Sequence, residues 1–328
     1  MSGAMIGGAE AGLRARLRPI SSPLVVFIVR RFLQTMVVLL LVATVAFLIV
    51  RVAGDPVRSL LPDNATLEQE QALRHLLGYD RPLVTQYLSY LSGLLHFDFG
   101  QSVFFQEPAR VVIFNRLPAT ARLAAAALVF SLVVAVPAGI VSALRRGKAT
   151  DSAVMTAVLV GQSTPAFFVG IVFILIFAVQ LKILPASGTG GIGHLVLPAI
   201  TLGLYSTAMI ARLLRSSLID VMGEDYIRTA RAKGLSPVGV VVTNALRNAA
   251  LPVVTIVGLE IGSLLGGAIV TEQVFAWPGV GRLTIEAITN RDYPLMQATV
   301  IFLAIVFVVV NLVVDVLYAV LDPRVRLS

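Results

Sequence analysis

Residues 32–50 carry no charged side chain, and that run constrains the fold more than any motif does. A hydrocarbon core about 30 Å thick takes about 20 apolar residues to cross as a helix. Lipid offers no partner to backbone N–H and C=O groups, so a crossing segment must satisfy them within itself. Five further stretches meet the same length requirement: 119–144, 152–181, 197–214, 249–270 and 296–320. The expectation is therefore an all-α integral membrane protein with six transmembrane helices. The first run follows Arg30-Arg31 and is too long for the core of a signal peptide, so it reads as a retained span.

At 57% hydrophobic and 13% charged residues, the chain lies outside the soluble globular range. A net charge of +8 would suggest nucleic acid in a soluble protein. Here the basic residues cluster beside apolar runs, where the bias of Lys and Arg toward the cytoplasmic side accounts for them. With six spans, Arg14, Arg16, Arg18, Arg30, Arg31, Arg145, Arg146, Lys148, Arg212, Arg215, Arg228, Arg231, Lys233, Arg247, Arg324 and Arg326 all fall on one side. The short loops of the other side hold Lys182, Arg282 and Arg291. Both termini are thus expected in the cytoplasm of a cell (inner or plasma) membrane, with a large external loop over 51–118. Within that loop two helical pieces, 66–77 and 83–95, are separated by Tyr79-Asp80-Arg81-Pro82, and Thr66 with Gln69 has the spacing of a capping box. Residues 1–26 read as a cytoplasmic arm. The chain has no Cys and its three His residues (His75, His96, His194) are far apart, so no metal-ligand cluster assembles from sequence neighbours.

Five charges in ten residues, EDYIRTARAK at 224–233, interrupt this apolar chain between spans four and five. The connection, 215–247, is about 33 residues long where many helix connections need two to eight. Ile227, Ala230 and Leu235 beside Arg228 and Arg231 predict a short amphipathic helix stopping at Gly234. Ala230, Ala232 and Gly234 would keep one flank small enough for another backbone to approach. Such a helix could rest on lipid headgroups or seat in a partner.

TARAKG at 229–234, followed by ALRNAALP at 245–252, resembles the EAA-type cytoplasmic loop of permease subunits in binding-protein-dependent ABC importers. Thr229 stands where that pattern has Glu, and the interval from Gly234 to Pro252 is longer than the general pattern has. STPAFFVG (163–170), VTEQVFAWPGVGRL (270–283), RDYP (291–294) and NLVVDVLYAVLDPRVR (311–326) look like the dipeptide, oligopeptide and nickel branch of the same family. The resemblance implies half of a two-permease channel, with a second homologous permease, two ATPase subunits below and an external binding protein above. It makes the polar stretch a cytoplasmic coupling helix, in which Tyr226, Arg228, Thr229, Ala230, Arg231, Ala232, Lys233 and Gly234 transmit force and do no chemistry. The cargo it implies is a short peptide, with glutathione, nickel chelates or opines as alternatives. A P-loop needs Gly-Lys-Ser/Thr, whereas Lys148, Lys182 and Lys233 precede Ala149, Ile183 and Gly234. ATP and Mg²⁺ are therefore expected in the partner subunits, with no cofactor, metal or catalytic residue in this chain.

An ionisable group inside a span costs about 2.5–3.5 kcal/mol on insertion scales, so each is a functional candidate. Glu260, with Gly258, Gly262 and Ser263 around it, is a candidate for meeting a cationic part of the cargo. The plainer reading is a hydrogen bond to a neighbouring helix or to the second permease. Asp315 is expected to find a structural partner, such as an arginine from the cytoplasmic edge. Gln162, Ser163 and Thr164 before Pro165 predict a kink whose freed polar groups line a pathway or merely bond their own helix. Tyr205 and Ser206 are weaker versions of the same case, and Gly266 and Gly267 suggest close helix packing. An ion-gradient-driven secondary transporter would require internal repeats and several buried carboxylates. An intramembrane enzyme would show a catalytic motif, and the sequence has none.

Overall fold

The computed structural model describes residues 23–53, 57, 58, 61, 64–76 and 78–321. Residues 1–22 of the expected arm, and Arg324 and Arg326, lie outside them. Helix α1 (Pro23–Ala53) is followed by two short helices, α2 (Leu67–Leu76) and α3 (Leu83–Leu95). The expected capping box opens α2: Thr66 N–H donates to Gln69 Oε1 at 3.0 Å, and Gln69 N–H to Thr66 Oγ1 at 3.3 Å. Then come α4 (Ala109–Leu144), α5 (Ala149–Ser163), α6 (Ala166–Phe173) with its wider continuation Ile174–Gln180, and α7 (Gly193–Val221). After α8 (Asp225–Ala232), α9 (Pro237–Val240) runs through the wide turn Val241–Ala245 into α10 (Leu246–Val274), followed by α11 (Val280–Thr289) and α12 (Tyr293–Leu321). No strand occurs among the described residues. Five helical segments are long and apolar enough to cross a membrane, and α5 with α6 makes a sixth if the bent pair is one span.

Three boundaries differ from those expected. The 36 residues of α4 make a helix about 54 Å long. It begins ten residues before 119, because Ala109, Val112 and Ile113 are buried against α11 and α12 and hold the first turns despite Pro118. Where a kinked third span was expected, the chain breaks by 102° between α5 and α6. Proline disfavours the helical region for the residue before it, and Thr164 is extended at φ −88°, ψ 129°. Finally, most of 215–247 is helix rather than loop: α7 continues to Val221, and the next apolar helix starts at Pro237.

Packing is centred on α4 and α7, which lie along each other, with α10 against α7 and α1 against α12. At the α4–α7 crossing a Cβ on Gly203 would stand 2.7 Å from the Ala127 carbonyl oxygen, so glycine permits the approach. Ser131 Oγ lies 2.8 Å from both the Ala127 and the Gly203 carbonyl oxygens and stitches the two helices there. Gly266 and Gly267 do not serve this role: a Cβ on Gly266 meets nothing within 4 Å, and one on Gly267 meets only Leu202 Cδ1 at 3.6 Å. Trp277 is buried in the turn between α10 and α11. It is 5% exposed, and its indole N–H donates to the Ala119 carbonyl at 2.9 Å.

Candidate functional site

A cavity of about 350 Å³ opens where α5 breaks from α6, walled by α7 and α10. Irregular backbone at membrane depth is tolerated only where protein buries it or it lines a water-filled space, and the Thr164–Pro165 break borders this cavity. Gln162, Thr164, Tyr205, Ser206 and Ser263 line it, with Thr201. The expected pathway candidates thus converge from three helices, except Ser163 and Glu260, which are not in the wall. Glu260 lies directly behind: it is 7% exposed, accepts from Ser206 Oγ, and has Ser263 Oγ 3.0 Å from its Oε2. No ion pair to Glu260 occurs among the described residues. Both the hydrogen-bonding reading and the pathway reading therefore touch the same two hydroxyls. Gln162 Nε2 reaches Met209 Sδ at 3.4 Å, and Thr164 Oγ1 bonds the Val160 carbonyl at 2.7 Å.

Thr201 escaped sequence reasoning, since a lone threonine in a span ordinarily bonds its own helix. It is 3% exposed, and its Oγ1 has no hydrogen-bond partner among the described residues. A buried hydroxyl left open in a cavity wall is free to bond a guest.

At the end of the bundle where α4 gives way to α5, the polar helix α8 lies on its own protein by one edge. Ile227 and Ala230 are buried among Leu214, Leu218, Val240 and Val241. Tyr226, Arg228, Thr229, Arg231, Ala232, Lys233 and Gly234 are exposed. Ala230 is therefore removed from the small outer flank expected of it, because helical spacing puts it on the face of Ile227. Tyr226 Oη accepts from Asn248 Nδ2 at 2.8 Å, tying α8 to α10. The Arg228–Asp225 pair at 3.4 Å is open to solvent on both sides and contributes little. Gly234 follows the helix at φ +85°, the left-handed conformation common just past a helix end.

Three further polar clusters join elements distant in sequence. Asp151 of α5 receives Arg215 Nε and Nη2, both at 2.7 Å, and Ser142 Oγ, so a basic residue counted only for orientation is the clamp between α4, α5 and α7. Asp315 pairs with Arg31 as expected. Glu272, wholly buried, accepts from Thr120 Oγ1 at 2.6 Å and Arg282 N–H at 3.0 Å.

A model of the family "Binding-protein-dependent transport system inner membrane component" matches residues 135–327, and a model of its N-terminal part matches 24–124. The chain is 40% identical over 301 residues to the glutathione transport system permease protein GsiC of Escherichia coli (strain K12), covering 92% of this chain and 98% of the relative. The corresponding protein of Shigella dysenteriae serotype 1 gives the same figures. In fold it is similar to a chain of the inward-facing MetNI methionine ABC transporter, with a TM-score of 0.56 at 17% identity, covering 64% of this chain and 96% of that one.

Proposed function

This chain belongs to the binding-protein-dependent transport system inner membrane components and is a permease subunit of an ABC importer in the inner membrane; from that premise we propose that it forms half of a translocation pathway completed by a second homologous permease. Two separate ATPase subunits hold ATP and Mg²⁺, and this chain binds no cofactor. A binding protein delivers cargo from outside. Both termini are cytoplasmic, α5 and α6 together make the third of six spans, and 27–328 is the permease domain. The one-sided distribution of Lys and Arg supports this orientation. Family membership favours this reading over the ion-gradient and enzymatic alternatives.

The observation that carries the coupling reading is α8 itself. Its apolar edge is anchored on α7 and α10, while Arg228, Arg231 and Lys233 have no buried role. A lever needs this arrangement, rigid toward its own bundle and open toward the motor. ATP-driven closure of the ATPase pair then biases the bundle between two access states. With Arg231→Cys and single cysteines in the cognate ATPase groove, crosslinks are expected in the assembled transporter. If no crosslink forms anywhere along 226–234, the docking reading fails.

The cargo is a short peptide, glutathione among the candidates, a choice supported by the similarity to glutathione transport system permeases. Glu260 gives the cavity a negative element reached through Ser206 and Ser263, suited to a cargo ammonium group. Glu260→Gln keeps the shape and both hydroxyl neighbours. The expected result is an uptake loss of about tenfold for cationic cargo and little change for neutral cargo. Equal losses for both would assign Glu260 to structure.

A further inference from the structure

A second pocket lies at the opposite end of the bundle from α8, under α3. It holds about 160 Å³ between the end of α1, the turn 78–81, α3 and the start of α12. Two guanidinium groups, Arg51 and Arg81, line it together with Gln86 and Tyr90. Arg51 lies 3.3 Å from the centroid of the Phe47 ring, and it donates to the Phe47 carbonyl at 3.0 Å and to Gln86 Oε1 at 2.6 Å. These contacts fix the plane of the guanidinium yet supply no counter-charge. Neither arginine has a carboxylate partner among the described residues. The neighbouring Asp80 turns to His75, 3.7 Å away.

Tyr90 adds an independent observation. Its hydroxyl is buried with no hydrogen-bond partner among the described residues. Burial, reinforced by Tyr87 and opposed by Arg51, raises the phenol above its ordinary value, so it remains a neutral O–H donor. An unmet buried donor costs about 1–3 kcal/mol, a cost an acceptor in the pocket would relieve. Donors are thus gathered from two cationic forks and one phenol, and the acceptor nearest them, Gln86 Oε1, is already taken by Arg51.

We propose that the Arg51–Arg81–Tyr90 pocket is a carboxylate-binding site. A planar carboxylate accepts two parallel N–H bonds from a guanidinium fork, and its second lone pairs can take the Tyr90 O–H. The pocket is well under the roughly 300–1,000 Å³ of drug-sized ligand sites, so it takes a carboxylate and its adjoining carbons, not a whole peptide. On the orientation proposed above it opens outward, where two sources exist: the free carboxylate of an arriving peptide, and an Asp or Glu side chain of the delivering protein.

The chemistry is tested first on the purified chain in lipid nanodiscs, with no need of any partner or cargo. Phenylglyoxal modification of Arg51 and Arg81 is followed by peptide mass spectrometry in equal concentrations of acetate, acetamide or inorganic phosphate. Acetate is expected to slow both reactions about tenfold, and neutral acetamide to leave them unchanged, with Arg122 unaffected throughout. Equal rates in acetate and acetamide, or protection by phosphate alone, overturn the proposal. Tyr90→Phe removes only the orphan hydroxyl, so it is expected to raise the melting temperature without acetate and to weaken the protection by acetate. A lower melting temperature contradicts it. In the assembled transporter, Arg81→Gln separates the sources. Weaker docking of the unloaded binding protein identifies its side chain. Loss of preference for a free dipeptide over its C-terminal amide identifies the cargo, and no change in either overturns the proposed role. Failure of the acetate arm alone leaves the permease reading intact.

Discussion

Gly234→Val is expected to abolish ATP-driven uptake while the protein inserts at its normal level. At φ +85° a residue with a Cβ is strained by about 1–2 kcal/mol, and a β-branched one sits there worst. That strain is small beside a total stability of about 5–15 kcal/mol. A Cβ at this position meets nothing within 4 Å, so the folded chain has room for the side chain. The damage therefore falls on the exit of α8: Val pulls the backbone out of the left-handed turn, swings Leu235 and Ser236, and fills the surface a partner backbone would approach. Asn tolerates that conformation better, so Gly234→Asn should retain more uptake than Gly234→Val. Uptake by intact cells, set against abundance by immunoblot, measures this series, and normal uptake by the valine variant defeats the coupling reading.

The largest loss of stability is expected at Glu272. The chain from Thr271 to Arg282 folds back around this carboxylate. Thr120 Oγ1 bonds it at 2.6 Å and itself accepts the Val280 N–H at 2.8 Å, the Arg282 N–H bonds it at 3.0 Å, and the Trp277 N–H takes the Glu272 carbonyl at 2.8 Å. Glu272→Leu strands the Thr120 hydroxyl and the Arg282 N–H in a buried site, at about 1–3 kcal/mol each. Gly281→Ala attacks the same fold sterically, since its Cβ would stand 2.6 Å from Ile269 Cα and backbone cannot give way as a side chain can. Both should lower the melting temperature by on the order of 10 °C, with Glu272→Gln milder because it keeps one acceptor. The chain has a single tryptophan, and Trp277 sits inside this fold, so its fluorescence reports the transition directly. An unchanged midpoint in Glu272→Leu would mean the carboxylate is not the keystone of this region.

The spans were legible because lipid leaves the backbone one solution, and 20-residue apolar runs announce it without any knowledge of neighbours. The capping box at Thr66 and Gln69 was legible because both partners lie within one turn, and the stop at Gly234 because glycine is written into the chain where the left-handed turn falls. Pro165 signalled a disturbance, but whether a proline kinks a helix or breaks it by 102° depends on what packs around the freed groups. The cavity residues Gln162, Thr164, Tyr205 and Ser263 could be named singly from the chain, while their meeting place could not. Thr201 was invisible because its only distinction is the partner it lacks.

Sequence alone determined that this is a helical membrane protein, which stretches are apolar enough to cross, and that a polar helix interrupts them, since each follows from solvent and local spacing. Tertiary structure decided which face of that helix is free, sending Ala230 inward with Ile227. It also joined Arg215 to Asp151, Glu272 to Thr120, and Arg51 to Arg81 and Tyr90. These partners stand from 30 to more than 150 residues apart. A charge or hydroxyl gains its role from what reaches it within about 3 Å, and only the packed chain brings such groups that close.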